Sequence, residues 1–333
     1  MGTMKELTYV EAINEALMEE MARDETVFVF GEDIRIGYGG GGIFGATRGL
    51  FEKFGEERVI DTPLSEVAIT GAAVGAALVG LRPVAEIMFG DFISIIMDQL
   101  VNNVAKMRWV LNGEVDVPIV YRTAYGGGIG AGFHHSQSFE AWLAHVPGLK
   151  VVMPSDPADA KGLLKTSIRD NDPIVFMEHK LLYKRSSGPV PDEEVLIPLG
   201  KGAVKRPGED VTIVATGAMV KKALEAADEL SKKGVSVEVL DPRTILPLDE
   251  ELILESVKKT GRIVIVHEAP VFGGFGGEIA GIVADKAIDY LDGPVKRVGA
   301  LFTPIPNWNK MEEYYLPDVK KIVDAVSEVI RFE

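Results

Sequence analysis

Arg58-Val59-Ile60-Asp61-Thr62-Pro63-Leu64-Ser65-Glu66 runs into 67–80, a stretch made almost wholly of Ala, Gly, Val, Ile and Leu, and then into Pro83-Val84-Ala85-Glu86-Ile87-Met88-Phe89. Residues 58–61 read as a short strand, 65–80 as a helix and 83–89 as a second strand. Strand, helix and strand in that order make a right-handed parallel crossover. Pro63 and Ser65 are residues of helix beginnings, so Glu66 falls in the first turn of a helix too apolar to face water. Two readings of that acid stay open here: it complements the helix dipole, or it is a carboxylate held for chemistry. The small residues Ala68, Gly71, Ala72, Gly75, Ala76 and Gly80 let another backbone or a flat ligand approach, at a cost in helix propensity.

The rhythm continues outward. Residues 8–21 read as an amphipathic helix opened by a Thr8-x-x-Glu11 capping box, and 27–30 as a buried strand. A long helix is expected over 92–110, a strand over 118–122, and strands over 150–153 and 174–177 flanking a helix that starts at Asp156-Pro157. Ser186-Ser187-Gly188-Pro189-Val190-Pro191-Asp192-Glu193-Glu194 replaces periodicity with turn residues and charge, which reads as a linker. Beyond it strands over 211–215, 235–240, 262–266 and 295–298 alternate with helices over 220–232, 249–258, 277–289 and 317–330. The expected fold class is α/β with two domains, each a mostly parallel sheet flanked by helices. The boundaries are 1–188 for the first domain, 189–200 for the linker and 201–333 for the second.

Composition narrows the function. A chain of 333 residues that is 47% hydrophobic and 26% charged suits a two-domain globular protein. The longest apolar run, 67–81, is too short and too glycine-rich to span a bilayer, and the N-terminus has neither a signal nor a transit pattern, so a cytoplasmic location is expected. Without cysteine, thiolate catalysis, iron–sulfur clusters and cysteine-type zinc sites are excluded. A net charge of −15 with no basic patch argues against nucleic acid.

Two glycine loops stand out. Gly37-x-Gly39-x-x-Gly42 matches a dinucleotide fingerprint formally, but consecutive glycines satisfy many spacings and the next helix is delayed to about Thr47; a flexible loop is the better reading. Gly126-Gly127-Gly128-Ile129-Gly130-Ala131-Gly132 leads straight into Phe133-His134-His135-Ser136-Gln137-Ser138. Adjacent histidines point in different directions, so a shared metal is not expected, while one histidine on such a loop is well placed for proton transfer. His145 reads as a packed or capping residue. His179 and His267 end strands, and His267 is read as structural, in a strand-to-helix turn at an interface.

Asp61-Thr62-Pro63-Leu64-Ser65-Glu66, Gly80-Leu81-Arg82-Pro83-Val84-Ala85-Glu86, Asp98-Gln99, His135-Ser136-Gln137-Ser138, Pro147-Gly148-Leu149-Lys150-Val151-Val152 and Asp159-Ala160-Lys161-Gly162-Leu163-Leu164, in that order, resemble the beta subunit of the thiamin-diphosphate-dependent first component of 2-oxoacid (pyruvate, branched-chain) and acetoin dehydrogenase complexes. The resemblance implies the transketolase-family architecture, a pyrimidine-binding domain followed by a C-terminal domain that in the family dimerises and meets the acyltransferase. The resemblance implies that Glu66 hydrogen-bonds a ring nitrogen of the aminopyrimidine and so promotes loss of the thiazolium proton. It implies that Phe92 stacks on that ring, that Leu64 and Met88 line the same wall, and that His135 serves proton and acyl transfer to a lipoyl group. His134 sits where relatives vary.

A Gly-Asp-Gly motif followed by Asn, which holds magnesium and the diphosphate in relatives with a complete site, is missing; Gly90-Asp91 is followed by Phe92. The resemblance therefore implies half a site, completed by an alpha subunit that holds magnesium, in an α2β2 heterotetramer served by a lipoyl acyltransferase. The resemblance also implies a potassium site at Ile119, Ser167, Ile168, Asp170 and Asp172. Pyruvate is the first expectation for substrate, acetoin or a branched-chain 2-oxoacid the alternatives. Two rivals of other classes are a nicotinamide (NAD) dehydrogenase using the Gly37 loop and a non-catalytic scaffold subunit.

Overall fold

A computed structural model describes residues 3–36 and 40–331. The chain divides into two compact units: one runs through Tyr125 and resumes over Trp142–Leu199, the other takes Gly126–Ala141 and the described residues from Gly200 onward. Both are α/β, as the alternation of apolar strands and helices requires.

The first unit begins with β1 (Met4–Thr8), α1 (Tyr9–Arg23), β2 (Val27–Gly31), α2 (Leu50–Phe54), β3 (Val59–Asp61), α3 (Glu66–Leu78) and β4 (Arg82–Ile87). It continues through α4 (Ala105–Val110) and β5 (Val120–Tyr125); α5 (Glu140–Ala144) marks the return from the other unit, before β6 (Lys150–Val152), α6 (Pro157–Arg169), β7 (Ile174–His179), α7 (Leu182–Arg185) and β8 (Ser187–Pro191). The sheet runs β6-β7-β5-β4-β2-β3, every pair parallel. The Thr8 capping box forms as read, with Thr8 accepting from the Glu11 N–H and Glu11 accepting from the Thr8 N–H at 2.8 Å. α1 packs on α6 through buried charge: Arg169 grips the fully buried Glu20 at 2.7 and 2.9 Å.

The order of this sheet creates a site. From β2 the chain crosses one way to β3 and then back past β2 to β4, so neighbouring crossovers diverge between β2 and β4. A crevice opens at the C-terminal ends of strands where such a switch occurs, and the segments leaving β2, β3 and β4 all begin there.

Two expectations are corrected. Residues 92–110 are not one helix: a 3₁₀ turn (Gly90–Ser94) is followed by a π-helical stretch (Gln99–Val104) and then α4. Side chains compete with the helix ladder, as Ser94 Oγ donates to the Asp91 carbonyl (2.8 Å) and Asn102 donates to the Asp98 carboxylate (2.6 Å). The 186–194 linker is also part of a sheet, since β8 pairs antiparallel with β1 and buries Val190. A two-stranded ribbon consists of edges, where proline is tolerated, and so Pro189 and Pro191 fit a strand.

The second unit contains β9 (Ala203–Arg206), β10 (Val211–Ala215), α8 (Met219–Ser231), β11 (Val237–Asp241), β12 (Thr244–Leu246), α9 (Glu250–Thr260), β13 (Ile263–Pro270), α10 (Gly276–Lys286), β14 (Lys296–Ala300), α11 (Asn309–Tyr315) and α12 (Val319–Ile330). Its sheet runs β14-β13-β10-β11-β9, parallel except for the antiparallel edge strand β9. Val211, Ile213, Val239, Val264 and Val266, each fully buried, are its centre.

Candidate active site

The turn from β3 to α3 is tied to the segment that follows β2. Thr62 N–H donates to the Gly31 carbonyl (3.0 Å), and the Asp61 carboxylate accepts the Arg35 N–H (2.9 Å). α3 starts on Glu66 with no side-chain cap from Ser65, so the acid sits where the unpaired N–H groups of the first turn favour negative charge. Glu66 is half-buried, and no ion pair is made to it among the described residues.

Beside it lies an acid that sequence reading missed. Glu32, just past β2, is buried, with the Ser65 backbone N–H near enough to favour its charged form. Burial first, and then the Glu66 charge, holds the Glu32 carboxyl above its ordinary range, while the Ser65 N–H works the other way. Its Oε1 is buried without a partner. An orphan carboxylate oxygen beside a second acid, at the switch point of a parallel sheet, marks a place built for a group that can donate hydrogen bonds. Gly31-Glu32-Asp33 reads as an ordinary polar turn, and only the buried strand ahead of it could have drawn notice.

Of the expected wall residues, Leu64 lies on the same turn as Glu66, while Met88 and Phe92 follow β4. Leu64 is 82% exposed on the β3–α3 turn. Under α3, a cavity of about 420 Å³ is lined by Phe28, Phe30, Ile60, Thr62, Ser65 and Ala72. Across the switch, Met88 lines a small cavity with Gly42, Glu86, Arg122 and Tyr183. Phe92 is half-buried in the 3₁₀ turn and meets Phe89 edge-on (5.7 Å between centroids), which in turn meets Phe44 (6.1 Å). Leu64 and Glu66 thus share one side of the switch point, Met88 and Phe92 the other.

Behind Met88 lies a buried ionic network that no sequence motif announced. Arg122 in β5 donates from Nε and Nη2 to both oxygens of Glu178 (2.6 and 2.7 Å) and from Nη1 to Glu86 (2.7 Å), and Tyr183 donates to Glu178 (2.6 Å). Burial opposes the guanidinium charge, but the two glutamates outweigh it and Arg122 stays cationic. Burial holds Glu86 above the usual carboxylate range against the pull of Arg122.

His134 and His135 lie on the segment Gly126–Ala141, which packs with the second compact unit. Their rings lie 6.4 Å apart at 87°, pointing apart as expected, and among the described residues no His/Asp/Glu group could hold a metal. His135 is half-buried and His134 exposed; His145, expected packed, is also exposed. His179 is buried, accepts the Leu181 N–H at 3.2 Å and packs on Tyr125. His267 is buried in a cradle of Gly274, Gly276 and Gly299, and burial lowers it to about 4, so it stays neutral.

Glu140, at the start of α5, is fully enclosed; burial, with the charge of Glu268 adding, pushes its carboxyl up to about 7. A folded-state value raised above the unfolded one means stability fully present below about 4.5 and lost as pH rises through about 7. Replacing Glu140 with Gln is expected to remove that loss, worth about 3 kcal/mol at pH 8. Unfolding of the second unit measured from pH 5 to 8 checks it, and an unchanged slope in the variant would contradict the assignment.

Of the five residues expected to bind potassium, Ile168, Asp170 and Asp172 give oxygens to the chain's own cations and Ile119 gives its carbonyl to a backbone N–H. Arg82 Nη1 donates to the Ile168 and Asp170 carbonyls (3.0 and 2.9 Å), Ile174 N–H to the Ile119 carbonyl (2.9 Å), and Ser167 Oγ donates to Leu163. Lys150 pairs with both Asp170 and Asp172, and Arg108 with Asp172. A potassium ion would have to compete with three fixed cations, so this donor set does not fit a bare cation as it stands. Of the dinucleotide-type loop, Gly37 and Gly39 lie outside the described residues. Gly42 is described, but α2 begins eight residues beyond it, which is not the glycine-to-helix junction that cradles a pyrophosphate.

Two α/β units in series, the first carrying paired acids at the switch point of its parallel sheet, define the class of protein. Residues 5–186 match the transketolase pyrimidine binding domain and residues 200–322 the transketolase C-terminal domain. Three curated proteins of Bacillus subtilis (strain 168) are similar over nearly their whole length. The 2-oxoisovalerate dehydrogenase subunit beta is 46% identical over 330 residues (99% of this chain, 100% of that one). The acetoin:2,6-dichlorophenolindophenol oxidoreductase subunit beta is 47% identical over 329 (96% of each). The pyruvate dehydrogenase E1 component subunit beta is 45% identical over 329 (99% and 100%). A solved split-gene transketolase, an inactive beta4 tetramer, superposes with a TM-score of 0.79 at 25% identity, covering 98% of this chain and 99% of that one. The chain belongs to the transketolase-like family of thiamin-diphosphate-dependent beta subunits of 2-oxoacid and acetoin dehydrogenases. Three relatives from one organism, named for three substrates, stand within two percentage points of each other, so the expected preference for pyruvate gains no support.

Proposed function

We propose that this chain is the beta half of an α2β2 enzyme that cleaves a 2-oxoacid or acetoin next to its carbonyl and passes the acyl fragment to the lipoyl domain of an acyltransferase. The observation that carries this reading is the Glu32–Glu66 pair at the switch point of the pyrimidine-binding unit. The cofactor, thiamin diphosphate, supplies when bound the electron sink for cleaving a bond beside a carbonyl. Glu66 would hold a ring N–H of its aminopyrimidine on a carboxylate oxygen. The Thr62–Gly31 and Arg35–Asp61 bonds tie the turn that presents Glu66, so it is set before any ligand arrives. Phe92, Met88 and Leu64 would give the ring an apolar wall, and low polarity strengthens the Glu66 bond. His135 would carry the proton exchanged with a lipoyl sulfur. The diphosphate and its magnesium fall to the alpha subunit.

Among the described residues no helix is long and apolar enough to cross a membrane. The test is co-expression with a partner alpha chain, calorimetric titration with thiamin diphosphate, and turnover on pyruvate, acetoin and 2-oxoisovalerate. Stoichiometric cofactor uptake and turnover of one of the three is expected. A tight complex that takes up no cofactor would favour a scaffold role instead.

A further inference from the structure

Residues 126–139 contain no helix or strand, yet they carry His135. Gly126, Gly128, Gly130 and Gly132 all have positive φ, between 73° and 92°. Such a segment costs roughly 1–2 kcal/mol of conformational entropy per residue to order, so something must hold it. Three side chains do so at every third backbone N–H. Gly127 N–H donates to Glu268 Oε1 at 2.6 Å, Gly130 N–H to Glu312 Oε2 at 2.7 Å, and Phe133 N–H to Asn307 Oδ1 at 3.4 Å. Bonds from N–H to an ionised carboxylate are shorter and stronger than neutral ones. Both glutamates are buried, Glu268 at the end of β13 and Glu312 on α11.

The glycines serve close approach rather than looseness. A Cβ on Gly130 would lie 1.8 Å from Asn309 Oδ1, one on Gly132 2.2 Å from Asn307 Oδ1, and one on Gly127 3.0 Å from Glu312 Oε1. The last contact of the series reaches the histidine, because His135 N–H donates back to the Gly132 carbonyl at 3.2 Å.

We propose that Glu268, Glu312 and Asn307 are positioning residues for His135: they fasten a glycine strap by its backbone and thereby fix where the imidazole can meet an acyl acceptor. This rests on the proton-transfer role given to His135 above. None of the three needs to touch substrate. A displacement of about 1 Å at a reacting group can cost on the order of 100-fold in rate, so loss of the fastening should be felt in the step that uses His135 and spared in steps that do not.

The experiment uses the assembled holoenzyme. Two reactions are measured: substrate-dependent reduction of dichlorophenolindophenol, which needs no lipoyl group, and acylation of a free lipoyl domain. Glu312→Ala and Asn307→Ala are expected to lower kcat for acylation about tenfold or more while dye reduction changes less than about twofold. Glu312→Gln, which keeps an acceptor oxygen, should recover most of the loss. Asn307 is exposed, so its variant keeps the test open if Glu312→Ala fails to fold. Placed on a His135→Gln background, Asn307→Ala should cause no further loss, the signature of residues acting as one unit. Full additivity on that background, or equal loss in both reactions, overturns the positioning role. Normal acylation by His135→Gln alone overturns instead the functional reading beneath it.

Discussion

Glu66→Gln in the assembled enzyme is expected to lower turnover by roughly 100-fold to 10,000-fold, the range associated with losing a positioned acid or base, while thermal stability and assembly stay close to wild type. The side chain is half-buried and no ion pair depends on it, so the fold loses little. Removing the charge also relieves Glu32, whose carboxyl is held high partly by its neighbour. The variant should therefore be, if anything, slightly more stable at pH 8. Glutamine keeps the shape and an acceptor oxygen but cannot take a proton, which separates binding from chemistry. Steady-state turnover with cofactor affinity measured in parallel decides the matter: near-normal kcat in a correctly assembled variant would discard the assignment of Glu66.

Arg122→Leu is expected to be the most damaging single change to the first unit. The guanidinium holds both oxygens of Glu178 and one of Glu86 in a place closed to solvent. Taking away one member of a buried ion-pair network leaves uncompensated charge, at a cost of about 3–5 kcal/mol. The sign of its pH dependence follows. Without Arg122 nothing opposes the burial that already holds Glu86 above its unfolded value, so the folded state binds the extra proton and stability falls as pH rises. The variant should therefore be nearest to wild type near pH 5 and furthest from it near pH 8. Hydrogen exchange of the β5 and β7 amides reports this unit separately from the other. Equal exchange in variant and wild type at pH 8 would show that the network contributes nothing to stability.

Much of this was legible in the chain. Apolar strands alternating with capped helices gave both sheets to within a few residues, because period and capping are local properties. Glu66 was readable for the same reason: Pro63, Ser65 and the apolar run locate it without any tertiary knowledge. Glu32 and Arg122 were not, since their significance lies in burial and in partners far along the chain, Ser65 for one and Glu86 and Glu178 for the other. The β1–β8 ribbon was hidden because its strands are separated by nearly the whole first unit and two prolines made one of them look like a linker. That the 126–141 segment packs with the second compact unit, though the pyrimidine-binding match spans it, was not legible, since a glycine loop carries no periodicity to say what it lies against. Its seat is written in Glu268, Asn307 and Glu312, which are individually unremarkable polar residues.

The contacts at Gly130 and Gly132 also limit how descendants of this protein can diverge. A methyl group at either position collides with an asparagine amide, Asn309 in one case and Asn307 in the other, and the left-handed backbone there penalises any side chain. Turning or shortening the asparagine would clear the collision but leave the backbone penalty, so the glycine is the more strongly held member of each pair.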